Sequence, residues 1–110
     1  MDDSNENGLN VMLKCYQSCT TTATHCLEKG GKHADVDHIN LMLDCAKICN
    51  LTADFALRGS ANQSDLHQLC ADICNQCAED CEEMADGDKQ MKDCARICRE
   101  CAEHCEEMVD

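Results

Sequence analysis

Cysteine stands at positions 70, 74, 77 and 81 in the stretch LCADICNQCAEDCEEM, and the same ladder returns at 94, 98, 101 and 105 in MKDCARICRECAEHCEEM. Thiols so placed could pair as disulfides, act as redox centres or nucleophiles once ionised, or ligate a soft metal ion. The choice between these chemistries rests on what carries the ladder and on how often it recurs.

The segments between GlyGly at 30–31, Gly59 and Gly87 are rich in Ala, Glu, Leu, Lys and Met, contain no proline and lack the alternation of strands. Plausible helix-capping residues follow each break, at Asp35, Ser64 and Asp88. This predicts four helices over roughly 8–29, 35–58, 64–85 and 88–109, joined by short loops into an all-α, antiparallel up-down-up-down bundle. At 110 residues the chain forms one domain.

Aligned on their first cysteine, the four segments share a template with offsets 0, 4, 7 and 11. Two copies are complete: Cys70, Cys74, Cys77, Cys81 and Cys94, Cys98, Cys101, Cys105. The first half is sparser, with Cys15, Cys19, Thr22, Cys26 and then Cys45, Cys49, Thr52, Ala56. These positions hold all 13 cysteines of the chain. At about 100° per residue the offsets fall in an arc of roughly 60°, so each helix carries one thiol stripe. Offset 8 is alanine in every copy (Ala23, Ala53, Ala78, Ala102), and offset 3 is isoleucine in three (Ile48, Ile73, Ile97). Alanine lets helices approach closely, isoleucine seals the flank, and the stripes face a common interior.

The composition says what that interior lacks: there is no tryptophan, one tyrosine and one phenylalanine. Thirteen small thiols could be mere core filling, but Ala, Leu or Val would pack as well without the oxidation risk. Disulfides within a helix are excluded, because Cβ atoms at i and i+4 lie about 5–6 Å apart and a bridge needs about 3.5–4.5 Å. An odd number of cysteines and the acidic start MDDSNENGLN, without a basic or apolar signal region, predict a reducing, cytoplasmic setting where bridges are rare. Thioredoxin-type chemistry needs CxxC at a helix N-terminus after a strand, whereas Cys74/Cys77 and Cys98/Cys101 lie in mid-helix.

Metal ligation remains. A structural zinc site needs four convergent ligands and only one or two such sets. A continuous thiolate ladder fits Cu(I) better, because Cu(I) accepts two or three sulfurs and thiolates can bridge neighbouring ions. Bridging throughout predicts on the order of a dozen ions per chain, whose charge nearly cancels that of the thiolates. A zinc or iron–sulfur scaffold and a thiol redox protein stand as alternatives, but redox catalysis would single out one or two exposed, acidic thiols. The formal charge of −13 repels nucleic acid and anionic lipid, and no apolar run is long enough to span a membrane.

The cysteine-lined segments, with LxCAxIC over 43–49, LCADIC over 69–74 and the paired CxxxCxxCxxxC ladders, resemble the bacterial copper storage proteins over positions 9–108. The resemblance implies a preformed four-helix bundle that holds many Cu(I) ions, the cytosolic branch of the family, no catalysis, and a homotetramer. This chain has His67 and Met91 where the family ladder often starts with another cysteine, and it lacks a His-rich loop in ADGDKQMK at 85–92.

Met12, Met42, His67 and Met91 each lie three residues before the first cysteine and extend the stripes by a turn, as weaker Cu(I) ligands or as core caps. Antiparallel packing puts Met42, Met91, Met84 and His38 at one end, which by analogy with Met/His-lined openings in the family is the expected copper mouth. Met12, His67 and Met108 form a rival cluster at the other end. His25 and His104, at offset 10, are expected to be interhelical or surface residues rather than ligands, and His33 is given no role. The acidic surplus reads as a solvated surface, and Asp86, Asp88 and Asp93 lack the spacing of a calcium loop.

Overall fold

The computed structural model describes residues 3–109, with side chains from Gly8 onward. Four helices follow one another: α1 (Asp3–Lys29), α2 (Val36–Leu57), α3 (Gln63–Met84) and α4 (Lys89–Glu107), with a short 3-10 turn over Gly31–Ala34 between the first two. There is no strand among the described residues. Each helix packs on the next and α4 closes the ring against α1, giving an antiparallel bundle of 44 × 22 × 18 Å. Among the described residues, no helix is long and apolar enough to cross a membrane.

Local chemistry sets the boundaries. Asp35 starts α2 by accepting from the His38 amide at 3.4 Å, and Asp88 starts α4 by accepting from the Met91 amide at 2.9 Å. Gly59 and Gly87 take positive φ, which ends the preceding helices in a conformation that side chains resist. The third start differs from expectation. Asn62, not Ser64, precedes α3, because the amide of Asn62 is already bound to Ser60 Oγ and the amide of Gln63 to the Ser60 carbonyl.

Helix α1 also begins earlier than expected, running through Gly8. That glycine breaks nothing; it makes room. A Cβ on residue 8 would lie 2.0 Å from Cε1 of His104, so the imidazole of α4 rests directly against the backbone of α1.

The interior is sulfur bounded by alanine. All 13 cysteines are buried, and the alanines at offset 8 are buried beside them. A second buried column, Ala46, Ala71 and Ala95, occupies offset 1 of α2, α3 and α4. Small residues on both flanks let the four backbones close until the stripes touch.

Replacing Gly8 with alanine forces the His104 ring or α1 to move. We expect Gly8→Ala to lower stability by about 1–3 kcal/mol, read as a lower urea midpoint of the reduced, metal-free protein.

Candidate metal centre

The α-helical period delivers the thiols and the antiparallel ring brings them together. Cys15 Sγ lies 3.9 Å from Cys45 Sγ and 3.8 Å from Cys98 Sγ. Cys45 lies 3.6 Å from Cys74, and Cys49 lies 3.8 Å from Cys70 and 3.7 Å from Cys101. These contacts are van der Waals or weak S–H···S distances, far beyond the roughly 2.05 Å of a disulfide. All the cysteines are free.

Three sets of four sulfurs converge closely enough to hold an ion, each drawn from three helices: Cys15, Cys45, Cys49 and Cys74; Cys15, Cys19, Cys45 and Cys98; and Cys49, Cys70, Cys74 and Cys101. The first set shares two sulfurs with each of the others. Shared sulfurs are bridging sulfurs, so this is one continuous column rather than separate chelates. Cys94 extends it through Cys19 at 3.8 Å.

Acidity along the column is set by neighbouring thiols. Cys15 and Cys77 are drawn below the ordinary thiol range, Cys15 first by Cys101 and Cys77 first by Cys19. Cys19, Cys81 and Cys105 are pushed above it, first by Cys15, Cys77 and Cys101 in turn. A proton lost from one sulfur thus makes the next harder to lose, and an entering cation relieves that repulsion. Cys26 stands at the edge of this network. Burial, and then the Asp88 carboxylate, pushes its thiol up to about 11.

Thr22 and Thr52 occupy their ladder positions inside the column and are fully buried. Thr52 Oγ1 donates to the Leu66 carbonyl at 3.4 Å, and Gln90 Nε2 donates to Thr22 Oγ1 at 3.5 Å. The hydroxyls are tied to backbone or side chain and leave gaps in the sulfur. Ala56, the third gap, is only part-buried and lines a cavity at one end.

The two ends are unlike. Met12, His67, His104 and Met108 surround that cavity of about 460 Å³, together with Leu9 and Gln63. His67 is buried, its Nδ1 paired with the Gln63 carbonyl at 2.9 Å, and its ring meets His104 edge-on at 6.1 Å. Burial, and then His67, lowers the pKa of His104. At the other end His38, Met42 and Met91 are as deeply buried as Met12 and His67, and the 3-10 turn between α1 and α2 carries the buried His33. His25 and Lys29 bind Asp88 at 2.8 and 2.7 Å, joining α1 to α4 there. The Lys29 ammonium, then His25, hold the Asp88 carboxyl well below the usual range.

One residue at this end lay outside the sequence reading. Asp80 Oδ2 pairs with His38 Nδ1, tying α3 to α2. Its signal was present: Asp80 sits at offset 10, the template position of His25 and His104, each of which also binds across to a neighbouring helix end.

The sequence profile described as Csp, copper storage protein, matches residues 1–110. The chain belongs to the copper storage protein family. Copper storage is its function, and copper its cargo. The bundle superposes on the Nmul_A1745 protein from Nitrosospira multiformis with a TM-score of 0.91 at 41% identity, covering 99% of this chain and 97% of that one. It superposes on the Cu(I)-bound copper storage protein BsCsp3 with a TM-score of 0.89 at 30% identity (97% and 99% covered). For a cytosolic copper storage protein from Streptomyces lividans, described with five coppers, the TM-score is 0.87 at 28% identity (97% and 92% covered). No curated protein sequence matches the chain significantly.

The Cys26 shift has a pH signature. The folded protein keeps this proton up to about 11, while the unfolded chain gives it up near 9.0. The buried thiol therefore stabilises the fold below pH 9, and its contribution is lost as pH rises through 11. In thermal melts of the reduced, metal-free protein, the stability advantage of wild type over Cys26→Ala should shrink across that window. An advantage that grows with pH would contradict the assignment.

Proposed function

We propose that this chain stores on the order of a dozen Cu(I) ions as a thiolate-bridged column inside the bundle, buffering copper without catalysis. The observation that carries this reading is the sharing of sulfurs between the three buried quartets. Bridging thiolates suit a soft ion of low coordination number, and each Cu(I) replaces a proton, keeping the buried charge low. The Cu(I)-bound and apo copper storage proteins from Bacillus subtilis match this bundle with TM-scores of 0.89 and 0.85, which supports a cavity formed before metal arrives.

All 13 cysteines act as ligands in this reading, with Met42, Met91, His38 and His67 as weaker ligands closing the ends. Copper is admitted through the cavity at Met12, His67 and His104, where thioether and imidazole groups line an opening of about 460 Å³. The description of the Streptomyces lividans relative as cytosolic supports a cytoplasmic setting. Exposed leucines on α1 and α2, among them Leu13, Leu27, Leu43 and Leu51, support self-association, as the homotetramer implied by the family resemblance requires.

Zinc offers a second reading with its own observation. A tetrahedral thiolate site with Zn–S of about 2.3 Å spaces its sulfurs by about 3.8 Å, close to the Cys49–Cys70 and Cys49–Cys101 distances of 3.8 and 3.7 Å. Only two of the three quartets share no sulfur with each other, however, so zinc would saturate at about two ions among them.

Anaerobic titration of the reduced protein with Cu(I) against a competing chelator separates these readings. We expect saturation near a dozen ions; saturation at one or two would sink the storage column. Thr52→Cys should raise the count by about one, and the Cys74→Ser/Cys98→Ser double variant should lower it while leaving the helical circular-dichroism signal intact.

A further inference from the structure

At the closed end of the column, the His38 side chain is 1 % exposed and its two ring nitrogens have different fates. Nδ1 meets the Asp80 carboxylate, and Nε2 is buried with no hydrogen-bond partner. A carboxylate accepts and does not donate, so the proton on a neutral ring belongs to Nδ1 and the lone pair to Nε2. Buried nitrogens without a partner are rare in folded proteins, and an imidazole lone pair in a sulfur-lined interior suits Cu(I).

The placement agrees. His38 lies one turn before Met42 on the α2 stripe that continues to Cys45 and Cys49, and its end of the bundle holds Cys26, Cys81 and Cys94. His67, at the open end, has an unpartnered Nε2 as well, but its Nδ1 is held by a neutral carbonyl of its own helix. Of the three histidines whose buried Nε2 has no partner, His33, His38 and His67, only His38 is held at Nδ1 by a charged group from another helix.

We propose that Asp80 is a positioning residue for copper: by holding the Nδ1 proton of His38 it fixes the ring and presents Nε2 as the ligand for a terminal ion at the closed end. This rests on the storage reading and on His38 as a ligand. Such carboxylate–histidine–metal arrangements fix the tautomer and raise the basicity of the ligating nitrogen. Asp80 itself touches no ion and keeps its side chain 28% exposed, at the boundary between column and solvent.

Nitrogen-15 NMR of the full-length, reduced protein reads the two ring nitrogens of His38 directly. In the metal-free state we expect Nδ1 protonated and Nε2 bare, and on anaerobic saturation with Cu(I) the Nε2 resonance should move while Nδ1 keeps its proton. Asp80→Asn should let the other tautomer appear and should lower by about 10–100-fold the chelator concentration that reverses the Nε2 shift, with Asp80→Glu recovering part of the loss. A mere tether between helices would leave both readouts unchanged in Asp80→Asn, and that result would overturn the proposal. Should Asp80→Asn not fold, the wild-type spectrum decides: an Nε2 that is protonated in the metal-free state, or unmoved at full copper load, overturns it. The copper count of the same samples keeps the two levels apart. Full uptake with an unmoved Nε2 removes the role of Asp80 alone, whereas failure to take up copper removes the storage reading.

Discussion

Everything in this bundle depends on bringing unbonded sulfurs to within about a diameter of one another and keeping them there. Sγ atoms from different helices sit 3.6–4.0 Å apart, which requires backbones closer than leucine or phenylalanine would allow. The alanine columns at offsets 1 and 8 meet that requirement, and the scarcity of aromatic residues follows from it. A larger side chain on the stripe or its flanks would part the helices and dissolve the shared quartets. The core is thus poor in the apolar bulk that usually stabilises a domain of this size.

Much of this was legible because it is periodic. Offsets 0, 4, 7 and 11 placed every cysteine on an inner face, and all thirteen are buried; the glycines at 30–31, 59 and 87 marked the loops. What escaped was non-periodic. The first helix was expected to start near Gly8, but that glycine lies within α1, where its missing Cβ accepts His104 from the far end of the chain. The start of α3 was displaced from Ser64 because Ser60 had already satisfied the neighbouring amides. Each outcome depends on a partner that spacing alone does not name.

The ends show the same limit. Met and His at offset −3 could be sorted into two clusters from topology, but not into an open and a covered one. At one end the histidine pair borders a cavity, and at the other the turn between α1 and α2 carries the buried His33. Offset 10 proves the more informative repeat: His25, Asp80 and His104 all reach across to a neighbouring helix, and each does so near a bundle end. In the proposed reading the inner positions of the template carry the cargo, and this outer position joins the helices near its limits.

The overlap of the quartets also governs traffic. Because adjacent sets hold two sulfurs in common, an ion can exchange one ligand at a time and move along the axis without ever being bare. Transport of that kind is single-file, and ions cannot overtake. If copper passes only by way of Met12 and His67, as proposed, the tube would behave as a stack, last in and first out. Copper near Met12 and His67 would then turn over first, and ions beside Cys26 and Cys81 would wait for every neighbour ahead of them to leave.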